Sequence, residues 1–289
     1  MSDEQAKFVL ENYKTMKYKD IAAKLGFTEK QIRSWVSNHA EKKIRVFNNR
    51  YFQNIDTPTK AYWLGFIYAD GWVSINEKRR TYELGIELCA NDVQQLLDLN
   101  NELGGVHLIS RKHKECVIYN NKVTSITDIV KLRIYSKPLV QDLIDAGILE
   151  NKTLKSGFPI VEDSLFMDFL RGYIDGDGCI YVKENKPSGS QVHITSAHNE
   201  ILNYIRDKLA EVGIPSYVYS ETDKKYRIYI NGKYALKLLD MIYYDDNSQK
   251  LKRKYQKYLT LKAFLSGDRQ VIKRAKTGNA KSLDMPIPC

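Results

Sequence analysis

WLGFIYADG at residues 63–71 and LRGYIDGDG at residues 170–178 are two copies of one nine-residue pattern, with Asp70 and Asp177 in the same slot. An internal repeat sets the architecture before any other signal is weighed. Each copy is an apolar stretch of helical character with small residues four apart, Gly65 and Ala69 in the first and Gly172 and Gly176 in the second. Missing side chains at that spacing let two helix backbones come close. Each stretch ends in Asp-Gly, and Gly71 and Gly178 suit the left-handed turn that stops a helix. A carboxylate in the last helical turn faces the negative end of the helix dipole, which costs roughly 0.3–1 kcal/mol. The cost is met twice, and a divalent cation shared between the two ends would offset it. The plainer alternative is a tight interface between two core helices with ordinary ends.

On these residues the chain resembles the LAGLIDADG homing endonucleases in their single-chain, two-motif form, over about residues 50 to 262. The resemblance implies that the motif helices pack at a pseudo-twofold interface and that the last acidic residue of each motif binds the catalytic metal. Carried over by position, those residues are Asp70 and Asp177. The first copy departs from the pattern at Tyr68, where an acid is common and the second copy has Asp175; the metal slot itself is intact in both. Magnesium is the implied cation, being hard and partial to oxygen ligands and retained water, with manganese able to substitute. The carbonyls of Ala69 and Gly176 are candidate additional ligands. A lysine late in each repeat lies near the active site in this family. The matching segments, GILENKTLKSGFP and SQKLKRKYQKY, offer Lys152 and Lys254, with Lys252 competing for the second.

The two halves repeat beyond the motif. WVSINEKRR, YELGIELCA and NDVQQLLDLNNELGG follow Gly71; CIYVKENKPSGSQVHITSA and NEILNYIRDKLAEVGI follow Gly178. Both read as a hairpin and then a helix. VKLRIYSKPLVQDLIDAGI and YRIYINGKYALKLLDMIYY then each read as strand and helix, so an αββαββα order occurs twice. The first half is longer between Arg111 and Ile129, where a lengthened hairpin is expected. The fold class is α+β, and the resemblance implies that the two sheets form a DNA-binding saddle. Candidate base readers are Ser74, Asn76, Lys78, Arg79 and Arg80 in the first hairpin, and Tyr181, Lys183, Asn185, Lys186 and Gln191 in the second. Alternation does not fix which parity faces the DNA.

Residues 1–46 read as a separate small all-α domain. In YKDIAAKLGFTEKQIRSWVSNHA, Ile21, Ala22 and Leu25 share one helix face, Gly26-Phe27 makes a turn, and Thr28 with Gln31 forms a capping-box pair. Ile32, Trp35 and Val36 fill the core from the next helix, which leaves Lys30, Arg33, Ser34 and Ser37 outward. That division matches a DNA-binding helix-turn-helix; a helical hairpin for protein contacts is the alternative. Residues 47–60 read as a linker, 61–160 and 161–265 as the two repeats, and 266–289 as a basic tail disordered at its end.

Charge supports a nucleic-acid partner. Lys and Arg number 45 against 35 Asp and Glu, a net +10, the footprint of a phosphate binder. It is concentrated at the ends: net +5 over residues 1–50, −4 over 51–249 and +9 over 250–289. Cys89, Cys116, Cys179 and Cys289 have no zinc-ligand spacing and suggest no disulfide framework. No signal peptide or membrane span is evident, so no membrane partner is expected. A cytoplasmic location is expected, in a bacterial or phage-infected cell or an organelle. The implied activity is site-specific double-strand cleavage by a monomer at a long pseudo-palindromic DNA target. A non-cleaving transcription regulator and an intron RNA maturase are the alternatives.

Overall fold

The computed structural model describes residues 1–13, 15–39, 47–113, 118–119, 122–123, 128–150, 157–222, 225–246 and 248–266. Lys152 and the tail beyond Ser266 lie outside the described residues, and so does most of the lengthened hairpin expected between Arg111 and Ile129. The chain divides into two compact units, Met1–Phe47 and Asn48–Cys289.

The first unit holds three helices, α1 (Asp3–Asn12), α2 (Tyr18–Leu25) and α3 (Glu29–His39). Val9, Ile21, Ala22, Ile32 and Val36 form its core, ringed by half-buried residues that include Leu25 and Trp35. Gly26 closes α2 at φ 72°, a left-handed position that glycine takes without strain. The Thr28 and Gln31 pair opens α3: the Gln31 amide donates to Thr28 Oγ1 at 3.2 Å and the Thr28 amide to Gln31 Oε1 at 2.8 Å. Helix α1, absent from the sequence reading, starts with a similar reciprocal pair between Ser2 and Gln5 and puts Val9 into the core.

In the second unit the first repeat runs α4 (Pro58–Asp70), β1 (Gly71–Asn76), β2 (Thr81–Cys89), α5 (Val93–Glu102), β3 (Ile109–Lys112), β4 (Ile118–Tyr119), β5 (Lys122–Val123), β6 (Ile129–Tyr135) and α6 (Lys137–Asp145). The second runs α7 (Phe166–Asp177), β7 (Gly178–Tyr181), β8 (Gln191–Ser196), α8 (Asn199–Glu211), β9 (Tyr217–Thr222), β10 (Lys225–Asn231) and α9 (Lys233–Ile242), with α10 (Lys252–Ser266) after it. The expected αββαββα order is present twice. Two antiparallel sheets have equivalent strand orders, β1-β2-β6-β3 and β7-β8-β10-β9; the extra pair β4-β5 sits in the longer first half.

Thr57 caps α4, its hydroxyl accepting from the Lys60 amide at 3.3 Å, and Pro58 occupies the first turn, where its missing N–H costs nothing. Period-two alternation sorts each strand into an apolar face and a polar one. Val73, Leu84, Ile86, Val130, Leu132 and Ile134 are buried in the first sheet, and Ile180, Val192, Ile194, Ile228 and Ile230 in the second. The opposite parity of each strand points outward.

Residues 47–60 are not a free linker. Tyr51 and Phe52 are buried, the Asn48 amide donates to Leu103 O at 3.0 Å, and Arg50 pairs with Asp142 at 2.8 Å. Turn-forming residues around two adjacent aromatics read as a connection, but burial of those rings fixes the stretch to the second unit. Among the described residues no helix is long and apolar enough to cross a membrane.

Candidate active site

Helices α4 and α7 form a seam at backbone contact. A Cβ on Gly65 would stand 2.0 Å from Phe169 O, and one on Gly172 would stand 1.9 Å from Tyr62 O. The two clashes are repeat-equivalent, so the seam has the pseudo-twofold symmetry that the small-residue spacing implied. Further along, a Cβ on Gly176 would be 2.3 Å from Ala69 Cβ and 3.3 Å from Asp70 Oδ2. The Asp70 carboxylate therefore lies against the last turn of the opposite helix, the one that ends in Asp177, and both charges act on Lys254. Asp70 is partly buried and Asp177 exposed.

Gly71 and Gly178 do not adopt the left-handed turn expected of them. Their φ values are −83° and −77°, with extended ψ. Each helix passes directly into a strand, and the glycine is required by crowding: a Cβ would meet Ile67 O at 2.8 Å or Ile174 O at 2.6 Å. The aspartate before it is thereby held at the junction of helix and strand.

Asp175 is fully buried on α7 and accepts three hydrogen bonds, from Tyr62 Oη at 2.9 Å, Tyr243 Oη at 2.7 Å and the Leu251 amide at 2.7 Å. Gln95 Nε2 donates to Tyr62 Oη in turn. Burial pushes the Asp175 carboxyl up, while Tyr243, the Leu251 amide, Lys254 and Tyr62 pull against that shift. Burial and the Asp175 charge hold the Tyr62 and Tyr243 hydroxyls well above the usual phenol range. The matching position in the first motif, Tyr68, instead donates to Gly157 O at 2.7 Å. The departure from the motif is thus a different tether for the chain that follows.

Lys254 lies buried at the start of α10. Its Nζ donates at 2.7 Å to each of the carbonyls of Ile174, Asp175 and Gly176, the last turn of α7. A lysine has three donors, and all three are engaged. Burial lowers its pKa to about 8, with Arg253 pushing the same way and the charges of Asp175, Asp70 and Asp177 opposing. This geometry makes Lys254 a cap on the helix that carries Asp177. Arg171, also fully buried, binds Ile242 O and Gln249 O at 2.9 Å and Asp168 at 2.7 Å. Arg171 and Asp175 sit inside the motif, yet their role depends on chain more than 65 residues away and gives no local signal.

The donor chemistry fits a hard cation. Asp70 and Asp177 offer carboxylate oxygens at one junction, and the described residues contain no group of three His, Cys, Asp or Glu side chains arranged to hold a metal. A cation here would draw on two carboxylates and water, as magnesium does. Of the two candidate backbone ligands, Gly176 O is already engaged by Lys254.

The candidate DNA contacts separate by location. Ser74 and Asn76 are exposed on the outward face of β1, and Tyr181 and Gln191 occupy the outward parity of β7 and β8. Lys78, Arg79 and Arg80 form the β1–β2 turn, with Arg80 at φ 50°; Lys183, Asn185 and Lys186 lie in the β7–β8 loop. Lys131 and Arg133 share the outward face of the first sheet and were missed, because their parity depends on strand pairing. They pair there with Glu87 at 2.7 Å and Glu83 at 3.2 Å. In the first unit Lys30, Arg33, Ser34 and Ser37 are all exposed on α3, and Arg33 is bound to Glu29 at 2.6 Å.

Comparison with known proteins gives two family-model matches. A LAGLIDADG-like domain matches residues 166–243, and the WhiA LAGLIDADG-like domain matches residues 59–135. Among solved structures the chain is similar to I-AabMI, a LAGLIDADG meganuclease bound to uncleaved DNA, at 13% identity over 78% of this chain and 100% of that one, with a TM-score of 0.48. The homing endonuclease I-DmoI in complex with DNA and Ca matches at 16% identity over 70% and 94%, with a TM-score of 0.44. Full-length WhiA from Thermatoga maritima matches at 18% identity over 80% and 71%, with a TM-score of 0.43. The chain thus carries two LAGLIDADG-like domains on one polypeptide, packed against each other through the glycine seam.

Proposed function

We propose that this protein is a site-specific endonuclease that acts as a monomer on double-stranded DNA. The observation that carries the reading is the placement of the Asp70 carboxylate against the last turn of α7, the helix that ends in Asp177, by a seam in contact at the backbone. Two carboxylates held at one point by rigid helices suit a group that must be positioned closely for reaction. Asp70 and Asp177 would hold a magnesium or manganese ion, which when bound would supply an activated water and neutralise charge on the phosphoryl oxygens. Lys254 fixes the α7 terminus so that Asp177 keeps its place, and Lys152 is proposed to position or polarise the attacking water. The outward sheet faces follow the major groove, while α3 of the first unit adds a second contact through Lys30, Arg33, Ser34 and Ser37.

Cleavage of a randomised duplex library with magnesium tests the proposal, with wild type run beside Asp70→Asn and Asp177→Asn. Discrete double-strand breaks at one long motif, lost in both variants while binding persists, are expected. Full cleavage by either variant would remove the shared-cation reading. The match of residues 59–135 to the WhiA LAGLIDADG-like domain favours a second reading, a regulator that binds DNA without cutting it. Selective binding with no breaks under any divalent metal would establish that one instead.

A further inference from the structure

The outward faces of the two sheets differ in the balance of their chemistry although their topology is equivalent. Beside the aromatics Trp72 and Tyr135, the first carries Glu83, Glu87, Lys131 and Arg133, two acid–base pairs. These are the side chains that hydrogen-bond G·C edges in a major groove, Arg and Lys to guanine and Glu to the cytosine amino group. The second face carries more aromatic residues, Tyr181, Tyr217, Tyr219, Tyr229 and His193. Tyr217 and Tyr229 stack with centroids 5.6 Å apart and 22° between planes, and His193 packs on Tyr229 at 5.6 Å. Tyr181, Tyr217 and Tyr219 are 47%, 54% and 57% exposed, too open to serve as core filler.

Polar capacity on this face is largely used internally. Tyr229 Oη accepts from Arg227 Nη1 at 2.9 Å and Tyr217 Oη from Asn231 Nδ2 at 3.2 Å. Arg227 is also paired with Glu221 at 2.7 Å. Beside the Tyr181 and Tyr219 hydroxyls and the Gln191 amide, the face presents chiefly ring surface and ring edge. In a major groove the apolar feature that distinguishes one base pair from another is the thymine methyl group.

We infer that the second sheet selects its half of the DNA target through thymine methyl groups, while the first sheet selects the other half through hydrogen bonds to G·C pairs. The inference rests on the proposed DNA-binding function and adds to it the chemistry of each half-site. The tyrosines do so with little ordering cost, because stacking and the hydroxyl bonds already fix Tyr217 and Tyr229.

The test is selection of a duplex site from a random library by wild type, by Tyr181→Ser and by Tyr219→Ser, followed by binding to the selected site with deoxyuridine in place of thymidine in one half at a time. Thermal unfolding of each variant checks that it is folded. The tyrosine variants should relax preference in one half only, and that half should be the richer in thymidine. Deoxyuridine in that half should weaken wild-type binding by about fourfold per contacted methyl, with a smaller loss in the variants. Equal binding of both bases, or relaxation in the G·C-rich half, would overturn the inference and leave the endonuclease reading intact. Tighter binding of the single strand than of the duplex would also overturn it, in favour of stacking on unpaired bases. Failure to select any duplex site would overturn both.

Discussion

Asp175 and Lys254 each stand at the wrong end of their own helix and at the right end of the other's. Asp175 lies in the last turn of α7, and its carboxylate accepts the Leu251 amide at the mouth of α10 at 2.7 Å. Lys254 lies in the first turn of α10, and its ammonium binds three carbonyls that end α7, each at 2.7 Å. A dipole favours an anion at a helix N-terminus and a cation at a C-terminus, by up to about 2 kcal/mol when partly buried. The exchange turns two locally unfavourable charges into one joint.

Lys254→Met should therefore lower stability. It leaves three carbonyls without their donor and removes the nearest cation from a buried carboxylate, at a cost of roughly 2–4 kcal/mol. A fall in the urea midpoint with little change in slope is expected. An unchanged midpoint combined with lost cleavage would instead make Lys254 a participant in the reaction.

Gly172→Ala and Gly85→Ala should separate backbone from side-chain crowding. At Gly172 the new methyl meets Tyr62 O at 1.9 Å, and the helices must part, with a loss above about 3 kcal/mol and disturbance of the site. At Gly85 it meets the Trp72 ring at 2.0 Å, on the outward face of the sheet, where the indole can swing away. A loss of roughly 1–2 kcal/mol and a shifted tryptophan fluorescence are expected there. Equal losses from the two substitutions would contradict the backbone contact.

Alkaline pH should unfold the second unit by way of its phenols. Tyr62 and Tyr243 are held well above 10, and burial raises Tyr68 to about 12. Phenols raised in the folded state contribute fully below the ordinary value near 10, and that stability is lost as pH rises from there toward the folded values. Each contributes a slope of up to about 1.4 kcal/mol per pH unit. Urea unfolding at pH 9, 10 and 11, with tyrosinate absorbance followed in parallel, should show stability falling only beyond 10. A flat profile would mean that these hydroxyls ionise without loss of the fold.

Lys30→Ala should reduce the slope of log affinity against log salt by about one, if α3 lies on DNA. Arg33→Ala should do less, since Glu29 already neutralises that guanidinium. Titration of the selected duplex at several salt concentrations reads both slopes; an unchanged slope for Lys30→Ala would remove the first unit from the DNA.

The repeat, the seam glycines and the two aspartates were legible in the sequence because each is a local pattern that recurs with the same spacing. The cap on α3 was legible for the same reason. What escaped depends on distant chain. The Gly-X-X-X-Gly spacing indicated close helices, but the role of Gly71 and Gly178 depends on the strand that follows at once, which removes the turn. The capping role of Lys254 had no local signal, because its partners are carbonyls on another helix. Lys131 and Arg133 were missed because strand parity is decided by pairing. Tyr51 and Phe52 stood among turn formers, and only the pocket they fill shows why they are apolar.

The seam also bears on how such a chain can diverge. Because Gly65 and Gly172 touch backbone oxygens of the opposite helix, the separation of the two acidic ends is set by main chain rather than by the shape of interchangeable side chains. Each repeat can then drift in its own core and remodel its own sheet face without moving the other's carboxylate. One lineage is thus free to acquire an aromatic face and a charged face on the same frame while the chemistry between them stays in register.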